Sequence, residues 1–254
     1  LTRAAADPTG TLDYARSLGR VTGASPAAPS PLLAGRSLSR RLRTIDVPVA
    51  ELRAAGTAAG CSLNDAFLAA LSGGLGRYHA AAGVPATDLP IALPVSLRAS
   101  GDEAGGNRFA GARIAAPAGE PDPVARMKLI RERVLAARDE PALDFMGLTA
   151  PVMSRMPAPV LTRLTASFTR SLDLQASNFP GLQRESYVAG ARVLRWYPFG
   201  PAPGCPVMAT LASHEGICCI GLTIDTAAVT DVDGFMEAMT AGFAEVVAVG
   251  AQAT

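Results

Sequence analysis

The sequence predicts a mixed-sheet α/β sandwich, on three observations. Apolar stripes recur at helical spacing in the earlier part of the chain. From Leu172 onward, short strand-like runs follow in quick succession, and Ile217 to Ile224 is apolar on both faces, as a central strand should be. Phe235 to Val249 then reads as a closing helix, which leaves strands to be covered by helices in layers. With 254 residues, 49% of them hydrophobic, the chain can bury the core of one large domain or two small ones.

In chain order, residues 8–18 can form a helix, and the Pro/Ala/Ser/Gly stretch from Gly23 to Gly35 reads as a linker or crossover. Leu42 to Val49 sets Ile45, Val47 and Val49 against Thr44, Asp46 and Pro48, the alternation of a half-buried strand, and Ala50 to Ala55 makes a short helix. A long helix follows, with Leu63, Phe67, Leu71, Leu75 and Tyr78 at helical spacing and Ser62 and Asp65 in a capping-box relation at its start. Gly73, Gly74 and Gly76 weaken this helix, and glycines so placed mark the close approach of another element. Leu89 to Leu97 and Arg108 to Ala116 are strand candidates. Val124 to Arg138 is an amphipathic helix whose stripe of Val124, Met127, Ile130 and Val134 opposes the basic residues Arg126, Lys128, Arg131 and Arg133. Phe145 to Phe168 holds one or two helices broken around Pro157 and Pro159. The later strands are Leu172 to Asn178, Tyr187 to Tyr197, Val207 to Ser213 and Ile217 to Ile224.

Composition excludes several classes. A net charge of +1, with Lys128 the only lysine, gives no field for nucleic acid, and the arginine and alanine bias fits a GC-rich genome. Cys61, Cys205, Cys218 and Cys219 form no C-x-x-C pair and have only two histidines to assist them, so no metal is expected and the thiols read as small buried side chains in a reducing compartment. No apolar run suggests a membrane span and no signal peptide is visible; a cytoplasmic protein is expected, with peripheral contact at a membrane or lipid droplet left open. The absence of an initiator methionine suggests that the gene product begins upstream of Leu1.

No self-contained catalytic constellation is present: no G-x-S-x-G, no H-E-x-x-H, no phosphate loop. His79, ending an alanine-rich helix, and His214, in Ser213-His214-Glu215-Gly216, read as surface or turn histidines rather than general bases. What stands out is a set of polar motifs in apolar surroundings. Ser62-Leu63-Asn64-Asp65 opens the long helix. Pro94-Val95-Ser96-Leu97-Arg98 ends a strand, with Gly105-Gly106-Asn107 nearby, and Ser177-Asn178-Phe179-Pro180-Gly181 ends another. Tyr197-Pro198-Phe199-Gly200-Pro201 precedes a third strand.

The order and spacing of these five motifs, over residues 35 to 249, resembles the carboxy-terminal region of the bacterial wax ester synthase/acyl-CoA:diacylglycerol acyltransferase family. Phe179-Pro180-Gly181-Leu182 departs from it, since the family more often shows Val-Pro-Gly-Pro. The resemblance implies the carboxy-terminal lobe of a two-lobe fold like chloramphenicol acetyltransferase, with residues 1–35 the end of the first lobe plus a crossover and residues 36–254 the second lobe. It implies transfer of a fatty acyl group from acyl-CoA, as substrate and with no cofactor, to diacylglycerol or a long-chain alcohol. The general base would be the second histidine of an H-H-x-x-x-D-G motif that this chain lacks, so a partner lobe or segment must bring it. A base, oxyanion donors and a water-free tunnel are what acyl transfer from a thioester needs, and this chain could supply the last two.

On that reading Asn64 and Asp65 either cap the helix or order the histidine loop across the interface; both roles can hold. Ser177 and Asn178, with Pro180 and Gly181, either stabilise a turn or bond the substrate carbonyl or pantetheine arm. Arg98 suits a CoA phosphate or a surface ion pair, and Asn107 a substrate contact or a turn. Residues 126, 128, 131 and 133 would attract anions or form a solvated face. Met146, Met153, Met156, Leu161 and Leu164 would line a lipid channel or pack a core. A non-catalytic lobe that binds acyl chains or a partner, and a condensation-type domain using carrier-protein thioesters, are the alternatives.

Overall fold

In the computed structural model, residues 13–14, 16–19, 23, 25–96, 109–142, 155–182, 184–202 and 204–252 are described. Six strands among them form one mixed sheet in the order β1 (Arg40–Pro48), β8 (Ile217–Asp225), β7 (Val207–His214), β4 (Leu174–Phe179), β2 (Asp88–Ser96), β3 (Phe109–Pro117). The central β7–β4 and β4–β2 pairs are parallel and the outer pairs antiparallel. The mixed α/β class expected from the sequence is the one observed.

Strand alternation sorts the two faces. Val207, Ala209 and Leu211 of β7 and Cys218, Ile220, Leu222 and Ile224 of β8 point into one core, joined by Leu174 and Ala176 of β4 and Ile91, Leu93 and Val95 of β2. Helices α1 (Val49–Ala58), α2 (Leu63–Ala81) and α5 (Val232–Ala251) supply its other half, with Leu52, Phe67, Leu71, Leu75, Phe235, Met239, Phe243 and Val246 buried; α3 (Pro123–Arg138) lies against α2 and β3. Each such large side chain contributes about 1.5–3 kcal/mol by leaving water. The glycines of α2 do mark close contacts: a Cβ at Gly74 would fall 2.8 Å from the sulfur of Met239. Helix α5 is long and apolar enough to cross a membrane, contrary to the expectation of no such segment, but its apolar stripe is spent on α1 and α2.

Two sequence readings are corrected. Tyr187 to Tyr197 is not one strand but a hairpin of β5 (Tyr187–Val188) and β6 (Ala191–Arg192) leading into an irregular segment. Positive φ at both Ala189 and Gly190, 51° and 83°, makes the primed turn that reverses the chain there. Within Phe145 to Phe168, residues 143–154 lie outside the described residues, and α4 (Ala158–Arg170) starts directly after Pro157. The stretch holding Met146 and Met153 is therefore undescribed, as is the side chain of Leu164; Met156 and Leu161 are half-buried.

The second correction concerns the polar residues assigned to the surface. The Arg126 side chain is 3% exposed, its guanidinium donating to the carbonyls of Ala69 and Glu120 and to Glu245. It fills the space that a Cβ at Gly73 would take. His79 is buried as well: its Nδ1 donates to the Leu75 carbonyl (2.8 Å), so Nε2 accepts the hydroxyl proton of Ser30 (2.7 Å). The Ser30 N–H in turn donates to Asp173 Oδ2 (2.9 Å), while Oδ1 of that buried carboxyl has no partner. This network ties the crossover segment to α2 and to the entrance of β4.

Asp173 provides a pH test. Burial pushes its carboxyl from 3.8 up to about 6, against the opposing effects of the Ser30 N–H and Arg36. An acid raised by folding is protonated in the folded chain while still ionised in the unfolded one. It therefore weakens the fold above about pH 6, and that penalty is relieved as pH falls toward 4. The stability difference between wild type and Asp173→Asn is expected to swing by about 1–1.5 kcal/mol in favour of wild type from pH 8 to pH 5. Denaturant titrations at the two pH values measure it; equal differences would refute it.

Candidate functional site

The end of β4 and the start of α2 meet at one corner of the sandwich. Ser62 caps α2, accepting from the Asp65 N–H (3.2 Å), while Asp65 Oδ2 accepts from the Ser62 N–H (2.8 Å) and hydroxyl (2.7 Å), a closed capping box built with aspartate. Arg131 of α3 donates to the same oxygen at 3.3 Å. Asp65 is thus buried and fully engaged, and it fixes the turn on which Asn64 stands. Asn178 Nδ2 donates to Asn64 Oδ1 at 3.4 Å, joining two motifs 114 residues apart in sequence.

Ser177 does not join them. As consecutive strand residues, Ser177 and Asn178 point to opposite faces, Asn178 toward α2 and Ser177 away from it. Pro180 is exposed and Gly181 is pressed against β7, where a Cβ would fall 2.2 Å from the Ser213 carbonyl oxygen. Of the residues singled out from sequence, Asn64, Asp65 and Asn178 therefore cluster, Ser177 lies behind them, and Arg98 and Asn107 lie outside the described residues.

The opposite face of the sheet carries a strap, residues 193–201. The Tyr197 hydroxyl donates to Asp46 Oδ1 (2.7 Å), Arg195 Nε donates to Asp46 Oδ2 (2.8 Å), and the Thr223 hydroxyl donates to the Gly200 carbonyl (3.1 Å). Gly221 of β8 lets it settle: a Cβ there would lie 2.0 Å from the Pro198 carbonyl oxygen. Trp196 packs edge-on against Phe179, ring centroids 5.8 Å apart. Outward, Tyr187, Val188, Leu194, Trp196 and Phe199 expose apolar surface, with Leu42 of β1 and Leu38 before it also exposed. The sequence reading took the Y-P-x-G-P turn as a marker and missed this strap, because its anchors are long-range.

Neither histidine presents a free nitrogen. His79 is bound as described, and His214, buried at the end of β7, has Nε2 2.8 Å from the Val193 carbonyl oxygen and Nδ1 3.1 Å from that of Leu182. The cysteines are no better as nucleophiles: burial pushes Cys205 up to about 12 and Cys218 up to about 11, and burial with the Asp65 charge also raises Cys61. No group of three metal-ligating side chains occurs among the described residues. A cleft of about 330 Å³ beside Gly76, Arg77, Arg126 and Glu245 lies toward the far end of α2; its arginines are bonded to Glu245, which makes it a packing seam.

This architecture, a mixed six-stranded sheet backed by helices, is shared with solved proteins of an α/β fold class. A wax ester synthase/diacylglycerol acyltransferase from Marinobacter aquaeolei VT8 matches 96% of the chain and 56% of its own length, with TM-score 0.63 and 18% identity. A condensation domain from the enacyloxin polyketide synthase matches 95% of the chain and 48% of its own, with TM-score 0.61 and 18% identity. At such identities the likeness is one of fold. The family model described as the WS/DGAT C-terminal domain matches residues 105–246, and the chain belongs to that family. A Mycobacterium tuberculosis (strain H37Rv) relative, provisionally named a diacylglycerol O-acyltransferase, is 49% identical over 239 residues, 94% of this chain and 48% of the relative. The chain spans about half the length of the curated relatives it matches.

Proposed function

We propose that this chain is the carboxy-terminal lobe of an acyl-CoA-dependent O-acyltransferase that passes a fatty acyl group to diacylglycerol or a long-chain alcohol, residues 1–35 being the end of the first lobe and the crossover. The observation that carries the reading is the Asn64–Asn178 contact at the corner held by Asp65 and Arg131, which brings two family motifs together at the edge of the sandwich. The family match and the diacylglycerol O-acyltransferase names of the relatives support the reaction class.

The reaction needs a base, and neither histidine of this chain is placed to serve as one. Both nitrogens of His214 face carbonyls, and Nε2 of His79 already accepts a hydrogen bond from the Ser30 hydroxyl inside the core. An imidazole from the amino-terminal half would take the proton of the acceptor hydroxyl, whose oxygen attacks the thioester carbonyl; the thiol of CoA then leaves with that proton. Asn64 and Asn178 would orient the loop that bears the base and, through the free amide N–H groups of Asn64, hold polar groups of the substrate. The exposed apolar face of the hairpin and strap would meet the amino-terminal half and close the passage against water. No cofactor is required, and contact with a membrane or lipid droplet would be peripheral.

Purified together with the amino-terminal half of the same protein, the chain is expected to transfer long-chain acyl groups from acyl-CoA to diacylglycerol or fatty alcohol, and alone to do neither. Turnover by the chain alone would overturn this division of labour. Transfer from acyl-carrier protein but not from acyl-CoA would favour the condensation-type reading, which the fold likeness leaves as the second choice.

A further inference from the structure

His214 is bonded in a way that a neutral imidazole cannot satisfy. Both ring nitrogens face backbone carbonyl oxygens, which only accept, at 2.8 Å from Val193 and 3.1 Å from Leu182. The imidazolium has two N–H donors and meets both; the neutral ring has one, so its remaining lone pair would face a carbonyl lone pair. The two partners are not arbitrary. Leu182 directly follows the Ser177–Gly181 run that leaves the candidate site, and Val193 begins the strap. Between them lies the β5–β6 hairpin, whose base is otherwise closed by the Val193 N–H donating to the Ser186 carbonyl.

We propose that His214 is a proton-operated clasp: protonated, it pins Leu182 and Val193, on either side of the β5–β6 hairpin, to β7 and seats the strap; deprotonated, it releases one of them and lets the strap shift. Two charged groups bear on the ring. Glu215, beside it in the β7–β8 turn, favours the cation, while Arg195 of the strap opposes it. Glu215 is itself shared with Arg192 of the hairpin (2.9 Å), which also holds Glu185 (3.0 Å), so the clasp sits in a small charged lattice at the hairpin base. The hydrogen bonds to Val193 and then Leu182 raise the imidazole above its ordinary 6.5. A cation favoured by folding stabilises fully below the unfolded value and loses that contribution as pH rises through the folded one, so the clasp is closed in mild acid and opens toward alkaline pH. Nothing in this depends on the reaction proposed above.

The chain carries its own reporter, because Trp196 is its only tryptophan and sits on the strap against Phe179. Trp196 emission is to be followed from pH 5.5 to 9 beside the NMR titration of the two histidines. The expected result is a shift in emission with the midpoint of His214, above the ordinary range of an imidazole. In His214→Gln the emission change is lost while circular dichroism and cooperative unfolding persist. Glu215→Gln, which keeps the histidine, moves both midpoints together to lower pH and decides the matter if His214→Gln does not fold. Emission that stays flat while His214 titrates, or a transition that survives in His214→Gln, would overturn the proposal. So would an emission midpoint unmoved in Glu215→Gln.

Discussion

Replacing Gly242 by valine is expected to cost about 3 kcal/mol or more, the loss being read as a lowered denaturation midpoint. A Cβ at Gly242 would lie 2.4 Å from the Ala70 carbonyl oxygen and 2.6 Å from the Gly74 nitrogen. These are backbone atoms that cannot rotate aside, so α2 and α5 must part. Parting them disturbs the Phe67–Phe243 and Tyr78–Phe235 ring contacts, centroids 6.2 Å and 5.3 Å apart, at the centre of the core. Alanine tests the balance more finely. It gains about 1 kcal/mol of helix propensity over glycine but carries the same collision, so a smaller loss of the same sign is expected. An unchanged or raised midpoint in both variants would mean that these helices do not meet there.

The second large effect separates structure from function at the polar corner. Asp65→Ala removes the capping-box acceptor and leaves the Ser62 N–H and hydroxyl without it; a loss of about 2 kcal/mol is expected, with the partly exposed Arg131 pair adding little. Asn178→Ala removes one long hydrogen bond at a half-buried position, so its stability should change by less than about 1 kcal/mol. On the function proposed above, the order reverses in activity: with the amino-terminal half present, Asn178→Ala is expected to lower the acyl-transfer rate at least about tenfold with folding intact. Full activity in Asn178→Ala would reduce the asparagine contact to a turn-stabilising role and remove the main support for the site.

The elements of this fold were legible where local rules act. Ser62 and Asp65 announce the start of α2, three residues apart, because a helix leaves its first N–H groups without partners and a nearby oxygen must accept from them. The glycines of α2 announced a close neighbour because only a close neighbour makes their low helix propensity tolerable, though not which one. The double-sided apolar run of β8 announced a central strand, and β8 lies between β1 and β7.

Other features depend on partners distant in sequence. Arg126 looked like one of a solvated basic row, yet it is buried because Ala69, Glu120 and Glu245 converge on it from elsewhere in the chain. The alternating residues of Tyr187 to Tyr197 imitate a strand, but the turn at Ala189–Gly190 and the anchoring of Tyr197 and Arg195 on Asp46 divert the segment across the sheet.

By itself, then, the sequence determined the mixed α/β class, the main helices and strands, and the family. Each follows from hydrophobic periodicity, capping chemistry or motif order, all of which act over a few residues or are read along the chain. Tertiary structure alone decided that Asn64 meets Asn178 while Ser177 turns away, that both histidines are buried, and that a strap crosses the opposite face of the sheet. Hydrogen bonds and desolvation depend on which atoms lie within a few ångströms, and strand order and burial set those distances.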